Sequence, residues 1–308
     1  MKTLFKKALL LLVVLSTLLS VSCTATDVIV GSDYSVTLVY GNGMENTVKK
    51  YRSGEQIAYV APTREGYKFV GWCTNSSRTN YYDFSVGVRD NITLYAKWDI
   101  DYKALLENVN NTAVNASVKV VTGNIFGTSK QGSGIVYKKS GNYVYALTNN
   151  HVVGTNANVN VYDAYGTAYS ASVISTDPKY DLAVLKFRAN SSSTFEVLNI
   201  TNRIPDENES LVSVSTPDGK WNTVNFANAV WYHELEIENS DSEVDFEVIW
   251  LDGEADHGSS GGAVLDTELN IIGIIYAVAT DRENENKHVL AIPAPKVLEF
   301  LEASSLAP

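Results

Sequence analysis

The feature that most limits how this chain can fold is a succession of short, strand-like runs between Ala113 and Glu299. Each run is rich in β-branched and aromatic residues and ends at a cluster of Gly, Asn, Asp or Ser, as β-strands joined by turns do. The runs are SVKVVTGNI, GSGIVYK, YVYALTNN, ANVNVYD, SASVIST, LAVLKF, VNFANAVWY, FEVIWL, GGAVLD, IIGIIYAVA and HVLAIP. They predict a mainly β domain over 113–308, built as paired β-barrels or a sandwich and closed by a helix in PKVLEFLEA.

The first 23 residues have a different composition. Three lysines precede an apolar run from Ala8 to Leu19, and small residues then lead to Cys23. This order is typical of a secretory signal peptide, and the run is shorter than the roughly 20 residues of a membrane span. LLSVSC also resembles the lipobox of bacterial lipoproteins, although Ser20 stands where leucine is usual. We predict export and lipid modification of Cys23, with simple secretion as the alternative.

Net charge narrows the choice of partners. The formal net charge is −11, and loss of a signal peptide over 1–23 removes three lysines and makes the exported part more acidic. Such a charge excludes nucleic acid and anionic lipid as expected partners, so the lipid anchor is the only membrane contact predicted. The two cysteines, Cys23 and Cys73, do not make a disulfide framework. Residues 24–33 are small and polar and are interpreted as a linker.

A second pattern covers residues 34–99. It contains GYKFVGW and ends in NITLYAKW, with alternating strand-like runs before it. These landmarks resemble the Listeria-Bacteroides repeat of bacterial surface proteins, which implies a small β-grasp-like domain. Its large aromatics are more often core than ligand platform in so small a domain, although a surface ligand remains an alternative. They are Tyr67, Phe69, Trp72, Tyr95 and Trp98. Residues 100–112 are interpreted as a linker with a short helical signal.

Three motifs in the strand-rich region carry residues suited to acyl transfer. His151 follows a strand in TNNHVV, Asp181 begins an apolar strand in DPKYDLAVLKF, and Ser260 lies among glycines in HGSSGGAVL. A serine hydroxyl needs a neighbouring base to become a nucleophile, and histidine suits that task near neutral pH. A carboxylate on the other ring nitrogen fixes the tautomer of the imidazole. Each residue alone has a structural explanation, but together they predict a catalytic triad.

The chain order His, Asp, Ser is that of chymotrypsin-like enzymes. The three motifs together resemble the trypsin-like peptidases of the HtrA type, and the resemblance covers Ala113 to Ala303. It implies a double β-barrel with the site between the barrels and assigns catalysis to His151, Asp181 and Ser260. The usual asparagine before the nucleophile is Ser259 here, and a PDZ domain is not expected before Pro308.

Further roles follow from position around Ser260. The backbone N–H groups of Gly258 and Ser260 are the expected oxyanion donors. Glu254 at the floor of the substrate pocket would favour Lys or Arg before the scissile bond. Alternatively, a small hydrophobic pocket is formed with Glu254 turned to solvent. The residues of that apolar alternative are Ala255, Val278 and Ala279.

The sequence therefore predicts an exported serine endopeptidase that acts on proteins or peptides, with the repeat as spacer or binding module. The alternative is a catalytically inactive surface binding or adhesion protein. No cofactor is expected. A metal site near His257 is disfavoured because no histidine pair has zinc-ligand spacing.

Overall fold

The computed structural model describes residues 33–123, 129–155, 158–217, 220–233, 244–280 and 286–308. The predicted signal peptide, Cys23 and nearly all of the predicted linker 24–33 lie outside these ranges. The chain separates into two compact units, one of residues up to Pro62 with Gly71–Lys97 and the other of Thr63–Val70 with Trp98–Pro308. Within the described ranges, none of the helices combines the length and apolar character needed to cross a membrane.

A four-stranded sheet accounts for residues 33–100. Its strands are β1 (Asp33–Val39), β2 (Thr47–Arg52), β3 (Tyr67–Cys73) and β4 (Ile92–Ile100). The order is β2-β1-β4-β3, with β1 antiparallel to β2 and parallel to β4. The parallel central pair needs a long connection between its strands, which the chain supplies by forming β2 and β3 between them.

Aromatic side chains supply core to this small sheet. Trp72 is 2% exposed, and its indole Nε1–H donates to the carbonyl oxygen of Val60 at 2.7 Å. The ring of Tyr40 packs edge-on against it, with centroids 5.5 Å apart. Cys73 is a buried free thiol beside Trp72 in the chain. A buried indole with its N–H satisfied has a structural role.

The rest of the chain forms two closed barrels of six strands each, which confirms the predicted double β-barrel. The first barrel has the order β10-β7-β6-β5-β8-β9 and the second has the order β11-β12-β13-β16-β15-β14. Their bounds are β5 (Ser117–Gly123), β6 (Ser129–Ser140), β7 (Tyr143–Thr148), β8 (Asn158–Tyr162), β9 (Ala168–Asp177), β10 (Leu182–Arg188), β11 (Ser210–Ser215), β12 (Thr223–His233), β13 (Val248–Leu251), β14 (Ala263–Leu265), β15 (Ile271–Thr280) and β16 (Lys287–Pro293).

Alternation of side chains along the strands builds the interior of each barrel. In the second barrel, one face of the strands supplies an apolar cluster that includes Leu211, Ile249, Leu251, Val264, Val289 and Ala291. The other face joins a larger cluster shared with the first barrel. Between β15 and β16 the register shifts at Ile275 and Ala277, which leaves Tyr276 as an extra residue in β15.

Four helices accompany the barrels in the described ranges. They are α1 (Tyr102–Asn111), α2 (Ala113–Ala116), α3 (Asn150–Val153) and α4 (Ala294–Ala303). Helix α1 occupies most of the segment interpreted as a linker, and its Leu105 and Val109 are buried in the larger core. Helix α4 is the predicted terminal helix and buries Phe300 and Leu301 on its apolar face.

Candidate active site

The side chains of His151 and Asp181 are joined in the first barrel. His151 lies in the single turn α3 after β7, and Asp181 immediately precedes β10. The Nδ1 atom of His151 lies 2.7 Å from Oδ2 of Asp181, while the backbone N–H of His151 donates to Oδ1 at 3.0 Å. The Asp181 side chain is 12% exposed and that of His151 is 46% exposed, so the pair has a buried acid and an accessible base.

Backbone geometry fixes this pair. Asp181 has a φ of 47°, in the left-handed region that Asp tolerates better than most residues. This conformation turns its carbonyl oxygen toward the start of α3, where it accepts from the side chain of Asn149 at 2.9 Å and from the N–H of Asn150 at 3.1 Å. Four hydrogen bonds therefore hold the helix turn and the acid together. Two of them end on the carbonyl oxygen of Asp181 and two on its carboxylate.

The Asp181 carboxylate also determines what the imidazole can do. An ionised carboxylate only accepts, so Nδ1 must donate to it. In the neutral ring, Nε2 then carries a lone pair and is able to take a proton. This is the tautomer that a general base acting on a serine requires.

The turn that carries Ser260 lies between β13 and β14 in the second barrel. Gly258 and Gly261 have φ values of 95° and 86°, which only glycine adopts without strain. A Cβ on Gly261 would also overlap the carbonyl oxygen of Ser133. The N–H of Gly261 donates to the carbonyl oxygen of Ile275 at 2.8 Å, and the N–H of Gly262 donates to the carbonyl oxygen of Ser259 at 2.9 Å.

Ser133 on β6 attaches this turn to the first barrel. Its N–H donates to the carbonyl oxygen of Ser260 at 2.7 Å, and its Oγ donates to that of Gly258 at 2.7 Å. The same Oγ accepts from the N–H of Thr216 at 2.8 Å. Ser133 is fully buried, so these bonds are shielded from water.

Two backbone donors remain available on the turn. Within the part of the chain that the structure describes, no acceptor takes a hydrogen bond from the N–H of Gly258 or of Ser260. These are the two groups that the sequence nominates for the oxyanion. Donors left open beside a nucleophile can stabilise charge that develops on a carbonyl oxygen.

The hydroxyl of Ser260 faces the second barrel in this structure. Its Oγ lies 3.5 Å from the carbonyl oxygen of Tyr276, and among the described residues it makes no hydrogen bond to the His151 ring. Such contacts in enzymes without substrate are often long and tighten on binding. Tyr276 itself is buried, and burial, followed by the charge of Asp181, raises the pKa of its hydroxyl.

Ser260 and His151 open onto one cleft of about 620 Å³. Of the four residues that the sequence nominates for the substrate pocket, Ala255 and Val278 line the cleft. Glu254 is exposed and is not among the lining residues, and neither is Ala279. The other described residues that line the cleft are Lys130, Gln131, Val152, Asp256, His257, Gly258, Ser259, Ile275, Ala277 and Lys287.

A metal centre does not emerge from the described side chains. No group of three or more His, Cys, Asp or Glu in those ranges is arranged to hold an ion. The imidazole, carboxylate and hydroxyl groups of the cleft are of the types that carry out proton transfer and nucleophilic attack.

Comparison with known families agrees with this geometry. Residues 132–274 match the family described as the trypsin-like peptidase domain, and residues 34–97 match the Listeria-Bacteroides repeat domain. The chain carries a trypsin-like peptidase domain. Both predicted resemblances are confirmed, and the matched part of the peptidase domain contains His151, Asp181 and Ser260.

Two bacterial proteins illustrate the similarity in sequence. The chain is 29% identical over 185 residues to the serine protease Do-like HtrA of Lactococcus lactis, covering 56% of this chain and 44% of the relative. It is 29% identical over 224 residues to a serine protease HtrA-like protein of Staphylococcus aureus, covering 65% of this chain and 28% of the relative. The chain thus spans less than half the length of these relatives.

Solved structures show the same fold. The active form of the Rv3671c protease from M. tuberculosis has a TM-score of 0.55 at 21% identity, covering 66% of this chain and 86% of that one. The serine endoprotease from Yersinia pestis has a TM-score of 0.53 at 24% identity, covering 65% and 66% of the two chains. At these identities the likeness concerns the fold of the peptidase domain alone.

Several residues of the site cannot be recognised from sequence. Ser133 stands in GSGIV, where two flanking glycines signal close backbone approach, yet nothing local indicates its contact with the Gly258 turn. Tyr276 lies within a hydrophobic strand run and is indistinguishable there from core. Lys130 and Lys287 look like ordinary surface lysines at strand ends and become site residues only when the barrels close.

Proposed function

We propose that the chain is a serine endopeptidase in which Ser260 is the nucleophile, His151 the general base and Asp181 the residue that orients the histidine. Ser260 Oγ attacks the carbonyl carbon of a peptide bond while its proton passes to Nε2 of His151. The tetrahedral intermediate collapses, the C–N bond breaks, and His151 gives the proton to the departing amine. A water molecule then hydrolyses the acyl-enzyme by the same proton route.

The observation that carries this proposal is the paired contact of Asp181 with the ring and backbone of His151, at 2.7 and 3.0 Å, beside a cleft that also contains Ser260. Proton transfer to Nε2 leaves a positive imidazolium, and the buried carboxylate offsets that charge. The open N–H groups of Gly258 and Ser260 support a role as donors to the oxyanion. Each such donor typically contributes about 2.7–4 kcal/mol to transition-state stabilisation.

The lining of the cleft suits a substrate with a small apolar side chain before the scissile bond. Ala255, Ala277 and Val278 line it next to Ser260, and their short side chains leave room without offering a charge. Glu254 is not among the described residues of that lining, which favours a small apolar side chain over Lys or Arg at this position. Hydrophobic pockets of this kind discriminate by size rather than by charge.

We also propose that the enzyme works outside the cytoplasm, attached through a lipidated Cys23. The lysine-rich start, the apolar run and the lipobox-like LLSVSC support this part of the proposal. The repeat over 34–99 then serves as spacer or binding module near the substrate. A clickable fatty acid supplied to the producing cells should label the wild-type protein and not Cys23→Ala, and absence of label on membrane-bound wild type would rule out the anchor.

The enzymatic proposal is tested by covalent labelling with a fluorophosphonate probe, together with hydrolysis of casein at neutral pH. Wild type should label, and Ser260→Ala should neither label nor hydrolyse. Ser170→Ala is a matched control, because Ser170 is exposed on β9 and away from the cleft. Absence of labelling in folded wild type would instead favour the inactive binding protein.

A further inference from the structure

Among the residues that the structure describes, two lysines and one carboxylate line the cleft, so this described lining has a charge opposite to that of the whole protein. Lys130 near the start of β6 and Lys287 at the start of β16 come from different barrels, and both are exposed and line the cleft with Ser260. The formal net charge of the chain is −11. A local cationic patch on an acidic protein attracts anions that the remaining surface repels.

Lys130 is held next to the base. Its Nζ donates to the carbonyl oxygen of His151 at 3.2 Å. An ammonium group has three N–H donors, so this contact leaves others for a ligand. The contact also limits how far the charge can swing from the His151 side of the cleft.

In the described ranges, Lys287 has no partner of this kind. Among the residues that the structure describes, no carboxylate or carbonyl oxygen forms an ion pair or hydrogen bond with its Nζ. It stands opposite Thr280 in the β15–β16 pair, two residues along β15 from Val278, which lines the cleft. The described lining contains a single carboxylate, that of Asp256, against these two lysines.

We propose, on the basis of the peptidase function above, that this cleft selects peptides with acidic side chains flanking the scissile bond. Lys130 binds an acidic side chain on one side of the cleft, and Lys287 binds one on the other side. The small apolar pocket receives the side chain before the cleaved bond. Exposed ion pairs are individually weak, so each lysine should contribute about two- to fivefold in kcat/KM for an acidic substrate. Added salt should reduce the preference because the charges are solvent-screened.

The test uses quenched fluorescent peptides of one length with valine before the cleaved bond and with Glu, Gln or Lys in the flanking positions. For the full exported chain, kcat/KM should fall in the order Glu, Gln, Lys, and the Glu-to-Gln ratio should shrink at high salt. Lys130→Gln and Lys287→Gln should each lower that ratio, and Lys287→Glu should lower it further. Lys103→Gln is the matched control, since Lys103 is exposed on α1 and does not line the cleft.

The outcomes separate this inference from the proposed function. Fluorophosphonate labelling with a Glu-to-Gln ratio near one would overturn the acidic preference and leave the peptidase intact. A ratio that persists unchanged in both Lys130→Gln and Lys287→Gln would also overturn it, because the preference would then come from other residues. Loss of both labelling and hydrolysis in folded wild type would overturn the two proposals together.

Discussion

Ser133 Oγ donates to the carbonyl oxygen of Gly258 at 2.7 Å, a bond that joins a strand of the first barrel to the turn bearing the proposed nucleophile of the second. The neighbouring backbone bond from Ser133 to Ser260 runs in the same direction at 2.7 Å. The proposed base and nucleophile are therefore not merely carried on two barrels that pack together. One buried serine also bonds the two barrels to each other beside the proposed nucleophile.

Ser133→Ala should destabilise the peptidase domain and slow labelling of Ser260. The substitution leaves the Gly258 carbonyl and the Thr216 N–H without their buried partner, which costs about 1–3 kcal/mol of unfolding free energy. Urea unfolding and the rate of fluorophosphonate labelling measure the two effects. The exposed Ser170→Ala should change neither, and equal behaviour of the two variants would show that the Ser133 hydroxyl does not hold the turn.

Gly261→Ala should be much more harmful than Gly166→Ala, although the two glycines have φ values of 86° and 85°. Positive φ alone costs an alanine about 1–2 kcal/mol, and Gly166 has open space around it. At Gly261 the new methyl would also collide with the carbonyl oxygen of Ser133, so the total loss should exceed about 4 kcal/mol. Thermal unfolding of the pair separates backbone strain from steric overlap, and similar melting temperatures would contradict the close approach.

Asp181→Asn should abolish most activity while retaining the fold. The amide oxygen still accepts from the His151 N–H, but the amide NH₂ now faces Nδ1 and favours the tautomer with a proton on Nε2. A proton there blocks the base, and kcat should fall by about 10⁴-fold, as in the general serine-protease pattern. Steady-state hydrolysis and circular dichroism measure activity and fold. Asp206→Asn, at an exposed position outside the cleft lining, should retain the wild-type rate.

Removal of the hydroxyl should change the unfolding free energy in opposite directions at two buried tyrosines. The Tyr137 hydroxyl donates to the carbonyl oxygen of Leu306 at 3.1 Å. The Tyr276 hydroxyl has no hydrogen-bond partner among the described residues. Tyr137→Phe should therefore lower the unfolding free energy by about 1 kcal/mol, and Tyr276→Phe should raise it by a similar amount. Urea titrations at pH 7 provide the comparison, and a loss of stability in Tyr276→Phe would show that its hydroxyl is satisfied.

The same tyrosines predict how stability changes with pH. Burial is the main cause that raises the pKa of both hydroxyls in the folded state. A smaller contribution in the same direction comes from the charge of Tyr145 at Tyr137 and from the charge of Asp181 at Tyr276. Above about pH 10 the unfolded chain loses these protons first, so unfolding becomes more favourable as pH rises. Tyr276→Phe should show a shallower fall in unfolding free energy between pH 9 and 11 than wild type.

The strand pattern predicts most of the double barrel because its strands are apolar and bounded by turn residues. The predicted runs do not include strand β11, because SLVSVS is half serine and, despite its partial alternation, lacks the strongly apolar character of the other strands. In the structure Ser213 and Ser215 are buried rather than solvent-facing, so the alternation does not mark an exposed surface. Barrel closure, a long-range property, decides the state of this segment.

The proposed triad can be nominated from sequence because three separate motifs occur in an informative order. The residues that connect those motifs carry no comparable signal. Ser133 contacts the Gly258 turn across 125 positions of sequence, and its hydroxyl is explained only by the two barrels meeting. Lys287 likewise gains significance from facing the same cleft as Lys130, which local composition cannot reveal.

The bonds from Ser133 have a consequence for how the protein responds to a cut between its barrels. His151 and Asp181 lie in the first barrel, whereas Ser260 comes more than a hundred residues after Ser133, in a barrel that includes β16 at Lys287–Pro293. Under the proposed mechanism, a cut in the connection between the barrels leaves the base and the nucleophile on separate polypeptides. The two pieces would stay active only while the contacts of Ser133 with the Gly258 turn hold them together.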